Sequence, residues 1–361
     1  MTRGSGRRSD YLEWVKRRRD RIRYPLSRSG MPRLDIRTLD PSLDFLLANE
    51  DNEDGWPPLL DVIGARAGLG ANHVCLAVAC TGANLVAFGL FLDPGDHVAM
   101  ETPVYEPLVK LARYFGAAID FFPRRESNGW RVDPDDVKRT LSQNTKLVVL
   151  SNLHNPTSAF DDEDTIRRIA ADAQQLGAFV VVDEVYLDLI HAEGVRTAAR
   201  LAPNILVTNS MTKTFGLDPL RLGWVIAEPG IAERARRLSD LYANNFPHPS
   251  ERIAWLALRR ADEILARHNA LLAGNMAIVD DFITSHEALA WVRPRAGTCG
   301  MVRVHGVDVD DLTDRLERDF ATGIVPGRFF EAPGYFRIGW ALETETLRAG
   351  LDRLSRALGH H

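Results

Sequence analysis

The chain has 361 residues, 45% of them hydrophobic, enough to fill a large core and more than one average domain needs. A net charge of −5 argues against a polyanionic partner, and the three cysteines Cys75, Cys80 and Cys299 form neither a C-x-x-C pair nor a zinc-ligating spacing. No run approaches the roughly twenty apolar residues that span a bilayer and no apolar leader is seen, so a soluble cytoplasmic protein with no metal, nucleic-acid or membrane partner is expected.

Residues 1–33 hold eleven Arg and Lys against three Asp and Glu. Tyr11, Val15, Arg18 and Ile22 fall on one stripe at helical spacing, with Leu12 and Trp14 beside it. That pattern predicts a helix docked on a domain with its charges in water. From His73 the chain alternates short apolar runs with helical stretches. The runs are His73–Val78, His97–Met100, Ala118–Phe121, Lys146–Leu150, Ala178–Val182, Asn204–Thr208 and Leu222–Ile226. Such β-branched runs predict an α/β fold: a three-layer α/β/α domain around a mostly parallel sheet. Asp93-Pro94-Gly95-Asp96 marks a turn, and Glu163–Leu176 reads as a helix with Ile166, Ile169, Ala170 and Ala173 on one face.

The pattern changes near Pro247-His248-Pro249-Ser250. Glu251 to about His286 predicts one long helix or a pair. Gly300–Val304 and Tyr335–Trp340 read as strands, Val309–Ala321 and Glu343–Ala357 as helices. This is a smaller α+β unit. The expected division is 44–248 for the large domain and 1–43 with 249–361 for the small one.

Two stretches carry the chemistry. Asn209-Ser210-Met211-Thr212-Lys213-Thr214-Phe215-Gly216 runs on to Arg221, and Val180-Val181-Val182-Asp183-Glu184-Val185-Tyr186 ends an apolar run in a carboxylate. Together they offer an amine for an aldehyde, an acid for a ring nitrogen, and hydroxyl and guanidinium donors for a phosphate. From about Asn52 to about Ala341 the chain resembles the class I/II aminotransferases of fold type I, which use pyridoxal 5′-phosphate (PLP).

The resemblance implies a role for each residue. Lys213 would hold the cofactor's aldehyde as an imine and, once released, act as general base. Asp183 would keep the pyridine nitrogen protonated, and Tyr186 would donate to the ring's 3′-oxygen. Asn155, in Ser151-Asn152-Leu153-His154-Asn155-Pro156-Thr157, would bond the same oxygen and a substrate carboxylate. In a stretch read as opening a helix after a strand, Gly82 would allow close approach of the phosphate, and Ala83 and Asn84 would offer it backbone N–H groups. Ser210, Thr212 and Arg221 would close that cup from the other side. Tyr105, in Pro103-Val104-Tyr105, would stack on the ring. Arg337, in Tyr335-Phe336-Arg337-Ile338-Gly339, would grip the substrate carboxylate.

The chain departs from the family in four places, one of them Leu60, which replaces the Arg that usually follows the family's Leu. Ser158 stands where the family has Gly, and Asp218-Pro219 where it has Pro-Gly. The tyrosine that reaches a partner subunit's phosphate is missing from Asp51–Asp54, so Asn52 or another group would replace it.

The expected function is transfer of an L-amino acid's amine to a 2-oxo acid by a PLP-bearing homodimer. The rival is another PLP reaction on the same scaffold: elimination, decarboxylation or cyclisation. A PLP-sensing regulator is disfavoured, because about 40 residues before the large domain are too few for a DNA-binding module.

Overall fold

A computed structural model describes residues 8–359. Its main sheet has seven strands: β1 (Val74–Val78), β2 (His97–Thr102), β3 (Ala118–Pro123), β4 (Thr145–Ser151), β5 (Phe179–Asp183), β6 (Ile205–Ser210) and β7 (Leu222–Ile226). Their spatial order is β1-β7-β6-β5-β4-β2-β3. β6, β5, β4, β2 and β3 run parallel, while β7 is antiparallel to both its neighbours. Two antiparallel steps return β1 to the common direction. The central strands are β-branched and almost wholly buried, as strands covered on both faces must be. Every expected strand forms.

Since β1, β4, β5 and β6 share a direction, Val78, Ser151, Asp183 and Ser210 all end at one edge of the sheet. The carboxyl edge of an open α/β sheet is where ligand crevices lie. Whatever the loops there supply converges by topology.

A second sheet is fully antiparallel: β8 (Leu289–Trp291), β9 (Cys299–Val304), β10 (Val325–Pro326) and β11 (Tyr335–Gly339), in the order β10-β11-β9-β8. Helices Val309–Phe320 and Thr344–Ala357 accompany it. Of the two forms expected after Pro247, one long helix or a pair, the pair forms: His248–Arg259 and Ala261–Thr284, broken at Arg260, whose ψ of 17° leaves the helical range. Among the described residues no helix is long and apolar enough to cross a membrane.

The N-terminal helix spans Asp10–Arg18, capped by Ser9, whose side chain accepts from the Leu12 N–H. It gives way to a short 3-10 turn, Arg19–Arg21, so Ile22 leaves the expected stripe. The basic residues before Arg8 lie outside the described residues. The chain then threads between the two sheets. Tyr24 bridges Thr322, the Gly339 N–H donates to Leu26 O at 2.6 Å, and the Met31 N–H donates to Lys213 O at 2.9 Å.

Gly339 has to be glycine for this crossing, because a Cβ there would collide with the Arg28 carbonyl. We expect Gly339→Ala to cost about 1–3 kcal/mol or more. An unchanged urea midpoint would show that the segment can shift aside freely.

Candidate active site

Side chains from six segments line a cavity of about 560 Å³, mouth included, at the carboxyl edge of the large sheet. Lys213 stands in the turn after β6. Its Nζ donates to Ser29 Oγ at 3.1 Å. Burial pushes its pKa down to about 8, helped by the charges of Arg337 and Arg28 and opposed by Cys299 and Asp183.

Asp183 closes β5 and is buried. Its carboxylate accepts from Asn84 Nδ2 at 3.0 Å, Cys80 Sγ at 3.4 Å and the Val185 N–H at 3.1 Å. Burial raises its pKa, and the Asn84 and Val185 donors pull it back. No cationic side chain among the described residues pairs with it directly. A desolvated carboxylate held only by neutral donors suits a ligand bearing a protonated nitrogen.

Asn84 is thus not the phosphate-side residue expected from the sequence. The helix begins at Ala79, one turn before the Gly82 expected to open it. The N–H groups of Gly82, Ala83 and Asn84 are therefore spent within the helix. Ala79 N–H donates to Arg221 O at 3.0 Å, which leaves the Cys80 and Thr81 N–H groups as the free ones. The Asn84 side chain turns to Asp183, with Thr208 Oγ1 donating to Asn84 Oδ1 at 2.7 Å and so fixing which end of the amide faces the carboxylate.

The other expected residues come together. Tyr105, Asn155, Tyr186, Ser210, Thr212 and Arg221 line the same cavity as Lys213 and Asp183. The Tyr186 hydroxyl and Thr212 Oγ1 are buried without hydrogen-bond partners. Arg221 is held left-handed at φ 50° after a short Asp218–Leu220 turn, and Arg33 pairs with Asp218 at 3.2 Å. Ser158 also sits left-handed, at φ 57°, and its hydroxyl donates to Cys299 O at 2.6 Å.

Arg337, on β11, is buried. Nη1 donates to Asn155 Oδ1 at 2.9 Å, Nη2 to the Tyr11 hydroxyl and to Ser27 O at 3.0 Å each, and Nε has no partner. The Asn155 N–H donates to Ser151 Oγ at 3.2 Å, and Ser151 donates through both N and Oγ to Glu101. Arg124 lies between Glu101 and Asp161, 2.7 Å from each and fully buried.

Asn52 does not play the outward role considered for it. Its amide donates to Phe246 O at 2.8 Å and Glu251 Oε2 at 2.7 Å within its own chain. Glu251 also takes the Trp56 N–H at 2.9 Å, so this segment is bolted to the helix at His248–Arg259. Ser29 and Tyr11 were not singled out for the site by sequence reasoning. They arrive from a segment almost two hundred residues or more away in sequence, and no spacing signals that.

Lys213 has a consequence for stability without cofactor. Its folded pKa of about 8 lies below the ordinary 10.5, so the folded protein binds fewer protons between those values. Stability from this group therefore rises with pH across that window and carries a constant penalty below it. We expect cofactor-free Lys213→Met to exceed the cofactor-free parent by about 1–3 kcal/mol at pH 7. The difference should fade between pH 8 and 10.5 in urea titrations; a pH-independent difference would contradict the burial argument.

Comparison with known proteins agrees with this geometry. The chain is 29% identical to capreomycidine synthase of Streptomyces vinaceus over 97% of its own length and 93% of that protein. A PLP-dependent aminotransferase from Streptococcus suis superposes with a TM-score of 0.89 at 27% identity, covering 98% of this chain and 97% of that one. The PLP-dependent cyclase OrfR does so with a TM-score of 0.85 at 25% identity, covering 98% and 97%. The family description "Aminotransferase class I and II" matches residues 63–354. With that match spanning most of its length, the chain belongs to the class I and II aminotransferases, a PLP-dependent family.

Proposed function

We propose that the protein is an aminotransferase that moves the amine of an L-amino acid to a 2-oxo acid, with Lys213 as the residue that carries PLP. The observation that carries this reading is one cavity lined by a depressed-pKa lysine, a buried carboxylate and Asn155, with the buried, partly unsatisfied Arg337 behind it and donating to Asn155. When bound, PLP supplies an electrophilic aldehyde and a protonated ring that draws electron density from the substrate Cα.

The chain's residues fit that group. The free N–H groups of Cys80 and Thr81, with Ser210, Thr212 and Arg221, offer donors for a phosphate. The unpartnered Tyr186 hydroxyl and the Asn155 amide hydrogens are available to the ring oxygen. Tyr105 supplies an aromatic face. Asp183 would hold a proton on the ring nitrogen, because its neutral donors offset its desolvation only in part and leave its pKa raised.

Arg337 binds the substrate α-carboxylate, and Asn155 holds the guanidinium in place. Lys213, with its amine free, would take the proton from the substrate Cα and hold it for return. Its lowered pKa leaves a useful neutral fraction near pH 8. Ser29, bonded to Lys213 Nζ, steadies the amine.

We further propose a homodimer, with residues 44–248 as the cofactor-binding domain and the rest as the small one. Leu43, Leu47, Leu241 and Tyr242 are 73%, 69%, 78% and 50% exposed, large apolar side chains that a second copy would cover. Light scattering should give twice the chain mass, and a fully active monomer would refute this.

A second reading is cyclisation of an amino acid on the same site. It is favoured by the similarity to capreomycidine synthase over nearly the whole chain. Borohydride reduction of the PLP-loaded protein should place the cofactor on the peptide containing Lys213; a label elsewhere would sink the assignment. Mass spectrometry of products from single amino acids then separates the readings. Aminotransfer yields 2-oxo acids and needs an acceptor. Products that keep their nitrogen and need no acceptor would establish the cyclase reading instead.

A further inference from the structure

The basic N-terminal helix has no part in the reading above, yet its Tyr11 packs against Tyr105, which lines the cavity. Its first turn is fastened to Glu106, the residue after Tyr105. Glu106 accepts from Ser9 Oγ and from the Asp10 and Tyr11 N–H groups, the latter two at 3.1 Å each. Lys110 adds an ion pair to Asp10 at 2.9 Å. A carboxylate at a helix N-terminus is also favoured by the helix dipole. This anchoring fixes where Tyr11 points.

Tyr11 is packed edge-on against Tyr105 and Phe329, with centroids 5.8 Å and 5.6 Å away. Phenylalanine would satisfy those contacts. What demands the hydroxyl is Arg337, whose Nη2 donates to it at 3.0 Å. A tyrosine oxygen that accepts from arginine still carries its own hydrogen, and that hydrogen finds no acceptor among the described residues. Arg337 Nε, also buried, lacks a partner. Two unused donors therefore stand together, and Tyr11 shares a groove with Lys213.

We propose that Tyr11 is a substrate-binding residue: its hydroxyl donates a hydrogen bond to the substrate α-carboxylate beside Arg337, so the N-terminal helix completes the substrate site. This rests on the reading of Arg337 as the carboxylate-binding residue. The helix is thereby more than a docked appendage, because Glu106 links the Tyr105 corner of the cofactor cavity to the donor that meets the substrate.

The test uses the PLP-loaded protein and a panel of L-amino acids, read by the change in cofactor absorbance. Tyr11→Phe should weaken amino-acid binding roughly tenfold or more, the scale of a hydrogen bond to a charged group. KM should rise with kcat little changed, while the cofactor spectrum and the thermal midpoint stay those of the parent. Glu106→Gln, which loosens the helix without touching the hydroxyl, should shift KM in the same direction. Arg337→Lys is measured alongside. If Arg337→Lys weakens binding and Tyr11→Phe does not, the proposal falls and the role of Arg337 stands. A Tyr11→Phe variant that lowers kcat alone would also overturn it. If neither variant changes binding, or if the parent responds to no amino acid in the panel, both readings fail together.

Discussion

The buried guanidinium of Arg124 is the pivot on which the site is hung. It sits with no exposed surface between Glu101 at the end region of β2 and Asp161 in the loop after β4, and it donates to Trp130 O and Ser151 O as well. Two carboxylates facing one arginine in a dry interior are tolerable only because nearly every donor and lone pair is used. Glu101 in turn takes both donors of Ser151, Ser151 receives Asn155, and Asn155 receives Arg337. An unbroken run of hydrogen bonds thus passes from the heart of the large sheet to a strand of the small one. Removing Arg124 would leave two uncompensated acids and let go of the far end of that run.

The electrostatics around Lys213 show the same economy. Arg337 and Arg28 push its proton off, while Asp183 and Cys299 pull the other way, and burial decides the balance. The amine is reactive because the fold places it where a charge is unwelcome. The buried, unpartnered hydroxyls of Tyr186 and Thr212 make the same point. Both line the cavity beside Lys213 and Asp183.

Much of this was legible in the residues themselves. The strands declared themselves by β-branched runs because both faces are buried, and the Lys213 and Asp183 stretches stood out because their chemistry is local in sequence. The helix start was misplaced because Gly82 looked like an opening residue. The actual start is dictated by Ala79, held left-handed at φ 54° and bonded to Arg221 O. Asn84 was assigned to the phosphate by its position, whereas Thr208, from a strand far along the chain, orients its amide toward Asp183. Tyr11 and Ser29 were invisible for a related reason: nothing near them in sequence reveals that they meet Arg337 and Lys213. Contacts made across long separations are set by topology, which no local pattern encodes.

The threading of residues 24–31 between the two sheets bears on how the molecule is made. During synthesis these residues emerge before their partners: Met31 waits for Lys213, and Tyr24 and Leu26 for the later Thr322 and Gly339. Ser27 waits for Arg337, 310 residues later, and Tyr11 waits 326 residues for the same side chain. During synthesis the large sheet can close as soon as β7 emerges, with its Lys213 already in place. The surroundings of Arg337 cannot form until β11 is out and the N-terminal segment is captured between the layers. A nascent chain that has made β7 but not β11 therefore presents Lys213 without Arg337 and the contacts that surround it.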